Sequence, residues 1–385
     1  MTEKLYYIDS HMHRFTAVCT ACRDTGGRYA VTLDRTAFFP EGGGQLADTG
    51  SIGQVRVLDV HERGGEVWHY TAVPLEPGRE YECALDYEQR LRRMQNHSGE
   101  HVVSGHIHAL YGADNVGFHM GTEFMTIDLS RELTWDELME VEHRANETVR
   151  ANLPVRTWFP APAELAALEY RSKLDLTENV RIVEIPGVDR CACCAPHVAH
   201  TGEIGFIKLL DCVRHRGGVR VSLVCGMDAL DAVRVMQKNV TDVSRLTSAR
   251  REDTAAAVSR LLDAQQQLKE RIAALGMANA RMRAASFAAC GGNICVFDDV
   301  LDDIALRELV NLLCKKCTGY AAAFSGSDKE GYRYIIGSRA LDLRAMARDI
   351  NAGIGGRGGG SSEMIQGRAS KSREEIQKFV ESAPV

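Results

Sequence analysis

Two histidines, His97 and His101, stand four residues apart in QNHSGEHVVSG, and about ninety residues later Cys193 and His197 stand four apart in DRCACCAPHVAHTGEIG. On an α-helix each residue turns about 100°, so His97 and His101 lie roughly 40° apart on one face, with Glu100 on the same arc to the other side of His97. A lone H-x-x-x-H is also the pattern of two solvated histidines. A thiolate and an imidazole at the matching spacing change the reading, because they are the borderline-soft ligands that zinc takes. Three cysteines and two histidines within ten residues (191–200) are hard to explain by packing. If one ion takes His97, His101, Cys193 and His197, the fold must bring two distant segments to one point, a stronger constraint than any propensity. Cys191, Cys194 and His200 could substitute, yet only Cys193 pairs with His197 at the matching spacing. Four protein ligands usually make a closed structural zinc, whereas a catalytic zinc keeps a position open; the sequence leaves both readings standing.

Other pairs carry less. CTAC (Cys19, Cys22) and CKKC (Cys314, Cys317) resemble halves of a zinc knuckle without partner halves, and HMH (His11, His13) alternates as a strand would. The chain has 12 cysteines without a disulfide-like spacing, and its beginning, MTEKLYYIDSHMHRF, lacks an apolar signal segment. Reduced thiols and a cytoplasmic location are therefore expected. No run of about 18 apolar residues occurs, so no membrane span is expected.

Along its length the chain is expected to be α+β and multidomain. Residues 1–88 read as short strands (EKLYYIDS, RYAVTLDRTAFF, QVRVLDVHE, EVWHYTAV) with turns between them, which predicts a small β-barrel. From Leu91 the pattern becomes helical and stops at Gly112, and residues 89–227 read as an α+β metal-containing domain whose second helix opens at Thr134. Residues 228–285 read as a helical hairpin or coiled-coil linker. Val258, Leu261, Gln265, Leu268, Ile272 and Leu275 form a seam of about two and a half heptads, which points to a homodimer through this region. Residues 286–385 return to α/β and carry a glycine-rich loop, GIGGRGGGSSEMIQG. The formal charge of −6 does not suggest a nucleic-acid binder, but residues 338–378 hold eight Lys/Arg against five acids.

HSGEH followed by CCAPHVAHTGEIG resembles the zinc-site pair of the alanyl-tRNA synthetase editing domain and of the free-standing alanyl-tRNA editing proteins. TAFFPEGGGQLADTG resembles the glycine-rich motif of the preceding barrel in that family, and GIGGRGGGSSEMIQG is similar to the glycine-rich loop of the synthetase's C-terminal domain. The motifs run in family order from about residue 35 to 367, and no aminoacylation domain or ATP site is recognisable. The resemblance implies a long-form, zinc-dependent trans-editing deacylase acting on tRNA(Ala) mischarged with serine or glycine. It implies one zinc on His97, His101, Cys193 and His197, and a substrate-side loop of Gly42, Gly43, Gly44 and Gln45. It implies a tRNA-body contact at Gly355, Gly356, Arg357, Gly358, Gly359 and Gly360. Arg357 interrupts the glycines, and Cys194 stands where the family often has glycine.

Rejecting alanine while accepting serine calls for a pocket that hydrogen-bonds the extra hydroxyl, because alanine would leave those polar groups unpaired. Thr122 and His119 in GFHMGTEFMT are candidates, and Glu100 is a candidate to relay protons or to steady a ligand. Two other readings remain. HSGEH fits the H-x-x-E-H pattern of inverzincin peptidases, which has no use for Cys193 and His197. A non-catalytic RNA-binding protein with a structural zinc accounts for the four-ligand count.

Overall fold

The computed structural model describes residues 1–172 and 179–383, so the last two residues of the expected C-terminal domain lie outside it. The chain divides into two compact units, Met1–Asn239 and Val240–Val385.

Six strands of the first unit pair into a closed barrel: Arg14–Asp24, Tyr29–Leu33, Glu66–Thr71, Val55–Arg63, Gly50–Ile52 and Glu80–Leu85, in spatial order. The last pairs with the first, Arg14 opposite Ala84, so no edge is left open. Alternation fills the interior: Val31, Ile52, Val57, Val60 and Val67 are buried together. The expected strand EKLYYIDS departs from this. Only Glu3–Lys4 pairs, in parallel with Arg35–Thr36, and Leu5–Tyr7 turns into a short 3-10 helix. The reason is that Leu5 belongs to the barrel core while its neighbour Tyr6 packs with Phe39 and Ala195. A half-buried strand buries every second residue, so two successive apolar anchors require a turn.

Helix α1 (Tyr87–Tyr111) follows and ends at Gly112, whose φ of 59° is the left-handed conformation that closes a helix. Every residue from Asn96 to Gly105 is buried, so α1 is enclosed on all sides. Gly99 and Gly105 allow that approach. A Cβ on Gly99 would stand 2.2 Å from Cys225 Sγ, and one on Gly105 2.4 Å from Val188 O. Around α1 lie a four-stranded antiparallel sheet (Ile207–His215, Gly218–Cys225, Met125–Leu129, Asn115–Met120) and a three-stranded sheet (Arg156–Trp158, Ile182–Ile185, Asp189–Ala192). Helix α2 (Trp135–Ala151) opens on a reciprocal Thr134–Glu137 capping box, and α3 (Pro162–Ala167) is short. Residues 1–88 and 89–227, expected as separate domains, both lie within the first unit. A buried guanidinium joins them: Arg90 on α1 pairs with Asp48 and donates to Ser10 O and Ala37 O.

The unit division falls inside α4 (Met227–Thr247). The second unit holds α5 (Thr254–Ser286), α6 (Asp303–Leu313), α7 (Leu343–Ile354) and α8 (Arg373–Ser382) with a five-stranded sheet. In the strand Tyr320–Ser327, Ala321 and Ala323 face the core of α5 and α6, while Tyr320, Ala322 and Phe324 face the core of α7 and α8. The sheet is thus covered on both faces. The expected glycine-rich loop is instead mostly a strand: Gly355 caps α7 with φ 63°, and Gly356–Gly360 is the sheet edge, paired with Met364–Ala369. A Cβ at Gly358 would stand 2.2 Å from Gln366 O and 2.5 Å from Tyr334 Oη, so the pairing itself demands glycine. The seam residues Val258, Leu261, Leu268, Ile272 and Leu275 are exposed along α5. Among the described residues no helix is long and apolar enough to cross a membrane.

Candidate metal centre

Helix α1 places His97 and His101 one turn apart, with ring centroids separated by 5.5 Å. The segment after Asp189–Ala192 is tied down on several sides. Cys193 N donates to Arg181 O at 3.0 Å, and Arg181 Nη1 donates to Cys193 O and Ala195 O. Ser10 Oγ donates to His197 O at 2.7 Å, and Val198 N donates to Ser98 Oγ on α1. These bonds carry His197 over α1, its ring 4.9 Å from His97 and 4.7 Å from His101.

The ligand atoms of His97, His101, Cys193 and His197 all lie within 4.8 Å of one another. Cys193 Sγ is 3.5 Å from His97 Nε2 and 3.4 Å from His197 Nε2. A tetrahedral ion with a bond of about 2.3 Å to sulfur and about 2.0 Å to nitrogen separates those atoms by about 3.5 Å. These two separations fit a small, thiolate-accepting metal.

Each histidine is also held from behind. His97 Nδ1 donates to Gln45 Oε1 (3.0 Å), His101 Nδ1 donates to Asp189 Oδ2 (2.8 Å), and His197 Nδ1 shares a hydrogen bond with Ser98 Oγ (3.0 Å). With Nδ1 carrying the proton in each ring, all three Nε2 lone pairs are left for the ion. Asp189 is fixed in turn by Arg171 Nε at 2.8 Å. Burial works against charge at Cys193, but His97 and the hydrogen bonds from His101 and His197 outweigh it and hold the thiol well below its ordinary range. Burial, only partly offset by Cys193, pushes His197 down to about 3. A thiolate beside neutral imidazole is the protonation state that a metal site requires. Burial opposes the charge on His101, yet Asp189 and Cys193 raise it well above the histidine value, so an arriving cation has a proton to displace there.

Glu100 is buried beside this cluster. Ser104 Oγ donates to its Oε1 at 2.6 Å and Asn115 Nδ2 donates to the same oxygen, while Oε2 stands 3.9 Å from His101 Nε2. Gly42–Gln45 forms a tight turn against the cluster, with Gly43 at φ 61° and Gly44 at φ 83°. A Cβ on Gly43 would stand 3.3 Å from Cys194 Sγ, and one on Gly44 2.6 Å from the Phe118 ring, which packs on His97 at 4.9 Å. Gln45 is buried and its Nε2 has no hydrogen-bond partner among the described residues.

Other candidates lie elsewhere. His119 follows Phe118 on one strand, and strand alternation turns it to the opposite face. Thr122 is exposed at the wall of a cavity of about 130 Å³ with Arg92, Arg93 and Asp228. Gly355–Gly360 lies in the second unit. Cys191 gathers with Asp189 and His101, while Cys194 and His200 are exposed. His106 bonds Thr148, and His108 bonds Asp114. Sequence reasoning passed over Ser98, Asp189, Asn115 and Arg171. Ser98 and Asp189 carried a cue, lying within HSGEH and at the head of DRCACCAPHVAHTGEIG; Asn115 and Arg171 approach the site from segments whose packing no local pattern reveals.

Residues 180–222 match the family model described as the threonyl and alanyl tRNA synthetase second additional domain. Over 98% of its length the chain is 26% identical to the alanyl-tRNA editing protein AlaX-L of Pyrococcus horikoshii, covering 96% of it. It is also 26% identical to the alanyl-tRNA editing protein Aarsd1 of Mus musculus, over 94% of this chain and 93% of that one. Against the alanine–tRNA ligase of Methanopyrus kandleri the identity is 30% over 95% of this chain, which spans 42% of the ligase.

Proposed function

We propose, from a resemblance to the alanyl-tRNA editing proteins that runs through 98% of the chain, that this protein is a trans-editing deacylase. It hydrolyses the ester of tRNA(Ala) mischarged with serine or glycine, at a zinc ion and in the cytoplasm. The observation that carries the reading is the convergence of three imidazoles and one thiol, their ligand atoms within 4.8 Å of one another, with every Nδ1 engaged.

His97, His101, Cys193 and His197 would hold the zinc, which when bound supplies Lewis acidity toward an ester carbonyl or a water. Asp189, Gln45 and Ser98 keep the imidazoles oriented. Glu100, fixed through Oε1 by Ser104 and Asn115, presents Oε2 as a proton acceptor at the edge of the cluster. The buried Nε2 of Gln45 is a donor available to a bound acyl group, and Gly42, Gly43 and Gly44 leave room for it; His119 and Thr122, exposed and turned away from the cluster, would meet the substrate only outside the acyl site. In the second unit, Gly356–Gly360 is an exposed sheet edge whose backbone N–H groups a phosphate can approach closely, with Arg357 adding charge. The exposed seam on α5 supports a homodimer.

The test is deacylation of Ser-, Gly- and Ala-tRNA(Ala) with and without a zinc chelator. Release of serine or glycine but not alanine, lost on chelation and restored by zinc, is expected. Absence of turnover by zinc-loaded protein that still binds tRNA would establish instead the second reading, a structural zinc in an RNA-binding protein. That reading draws support from three histidines only 2–3% exposed.

A further inference from the structure

The sheet of the second unit carries an arrangement of like charges that its own packing does not use. Arg368 stands opposite Arg333 on one side and opposite Arg357 on the other, so three guanidiniums lie side by side across three strands. Neighbouring strands are about 4.8 Å apart, and like charges directly opposite one another repel. Alternation puts all three on one face: Arg333 is two residues from Ile335 and Arg368 four from Met364, both of which pack with α5 and α6. The helical cover stops at Ile335, which is buried, whereas Gln366 and Gly359 in register with it are exposed, as are the three arginines. Arg307 on α6, also exposed, donates to Gln366 Oε1 at 2.6 Å and adds a fourth cation.

Among the described residues Arg333 pairs with Asp303 at 2.8 Å, whereas Arg357 and Arg368 make no ion pair or side-chain hydrogen bond. Guarding a sheet edge calls for charge on the edge strand Gly356–Gly360 alone; Arg368 and Arg333 stand on inner strands. In the adjoining row Gly359 leaves the face bare. Its backbone is not left-handed and a Cβ there would meet nothing within 4 Å, while one at Gly358 or Gly360 would stand 2.2 Å from a carbonyl oxygen, so neither pairing nor conformation demands glycine at 359. Beyond Arg307 the charge becomes mixed: a cavity of about 970 Å³ is walled by Lys315 and Arg339 but also by Asp342 and Glu363.

We propose that Arg307, Arg333, Arg357 and Arg368 seat the phosphate backbone of duplex RNA on this sheet face, with Gly359 keeping the floor low enough for a strand to lie on it. Unpaired guanidiniums at neighbouring positions are the complement of a regular row of phosphates. The bare part of the face bears no aromatic side chain on which unpaired bases could stack, and duplex RNA is held by shape and backbone instead. The proposal rests on the editing reading in taking tRNA as the RNA, and adds to the glycine edge a set of side chains that give it charge.

The experiment measures binding of the whole zinc-loaded chain to a blunt RNA duplex, to single-stranded oligouridine and to polyglutamate across a salt series. The variants are Arg357→Gln/Arg368→Gln, Arg368→Gln, Arg368→Lys and Gly359→Glu, all at exposed positions, with circular dichroism as the check on folding. For the double variant duplex affinity is expected to fall at least about tenfold, and the slope of log affinity on log salt by about 2, the loss of two phosphate contacts. Should the double variant misfold, Arg368→Gln alone is read for a slope change of about 1. Arg368→Lys keeps the slope, and Gly359→Glu weakens duplex binding by filling the floor with a like charge. For mischarged tRNA(Ala) the loss appears in KM and not in kcat. An unchanged slope in the Gln variants, an equal loss for the single strand, Arg368→Lys as damaging as Arg368→Gln, or polyglutamate bound as tightly as duplex would each overturn the proposal. Duplex binding that depends on these arginines in a protein that deacylates nothing would refute the editing reading and support the face. Intact editing with unchanged duplex affinity and slope would do the reverse.

Discussion

Substituting Asp189 tests how the centre is held. Its carboxylate is buried and serves two donors, His101 Nδ1 through Oδ2 and Arg171 Nε through Oδ1, each at 2.8 Å. An asparagine offers one oxygen and one NH₂. Whichever way the amide turns, a donor faces a donor, so Asp189→Asn must lose one of the two bonds and the charge that favours both. Removing such a support from a metal-bound histidine typically weakens metal binding by about 10–100-fold, or roughly 1.4–2.7 kcal/mol. Asp189→Ala loses both bonds and leaves the half-enclosed Arg171 without its carboxylate, so the apo protein should lose about 3 kcal/mol of stability or more. Zinc competition against a chromogenic chelator reads the first effect, and urea unfolding of the metal-free protein reads the second. If Asp189→Asn bound zinc within twofold of wild type, the claim that the carboxylate orients His101 would be wrong. If Asp189→Ala unfolded at the wild-type midpoint, the buried pair would contribute nothing to the fold.

Gly44→Ala should cost about 1–2 kcal/mol from its left-handed backbone alone and more from the clash with Phe118, pressing that ring onto His97; a circular dichroism melt that matches wild type would contradict this. Arg90→Met leaves the buried Asp48 with only the longer pair to Arg93 (3.6 Å) and the Phe39 N–H, and should destabilise the first unit by about 2–3 kcal/mol, read from chemical denaturation. His69 in the barrel donates through Nδ1 to Val31 O and accepts at Nε2 from Thr36 Oγ1, and burial pushes it down from 6.5 to about 4. Because the unfolded chain takes up this proton first, stability is full above pH 6.5 and falls by roughly 3 kcal/mol as pH drops toward 4. A His69→Gln variant that kept the same pH slope between those values would rule out His69 as its source.

Local signals in the chain were legible because they act within one or two turns. Gly112 closes α1 and Thr134 opens α2 where their residue types predict. The spacing of His97 and His101 carries its own geometry, since α-helical rotation puts them on one face whatever surrounds them. Other features were invisible because they depend on which faces meet. Leu5 and Tyr6 enter different cores, so a segment with strand composition turns instead. Gly356–Gly360 has the composition of a loop, yet the close approach of Gln366 and Tyr334 makes it an edge strand.

The residue types able to grip a metal were determined by the sequence alone, together with the helical spacing that pairs them. Their meeting, and the partners that turn each imidazole, were decided by tertiary structure: Gln45, Asp189 and Ser98 reach their histidines across 52, 88 and 99 residues. The physical reason is that periodicity records the direction of a side chain about its own backbone axis, whereas a coordination site is defined by distances between axes, which only packing sets.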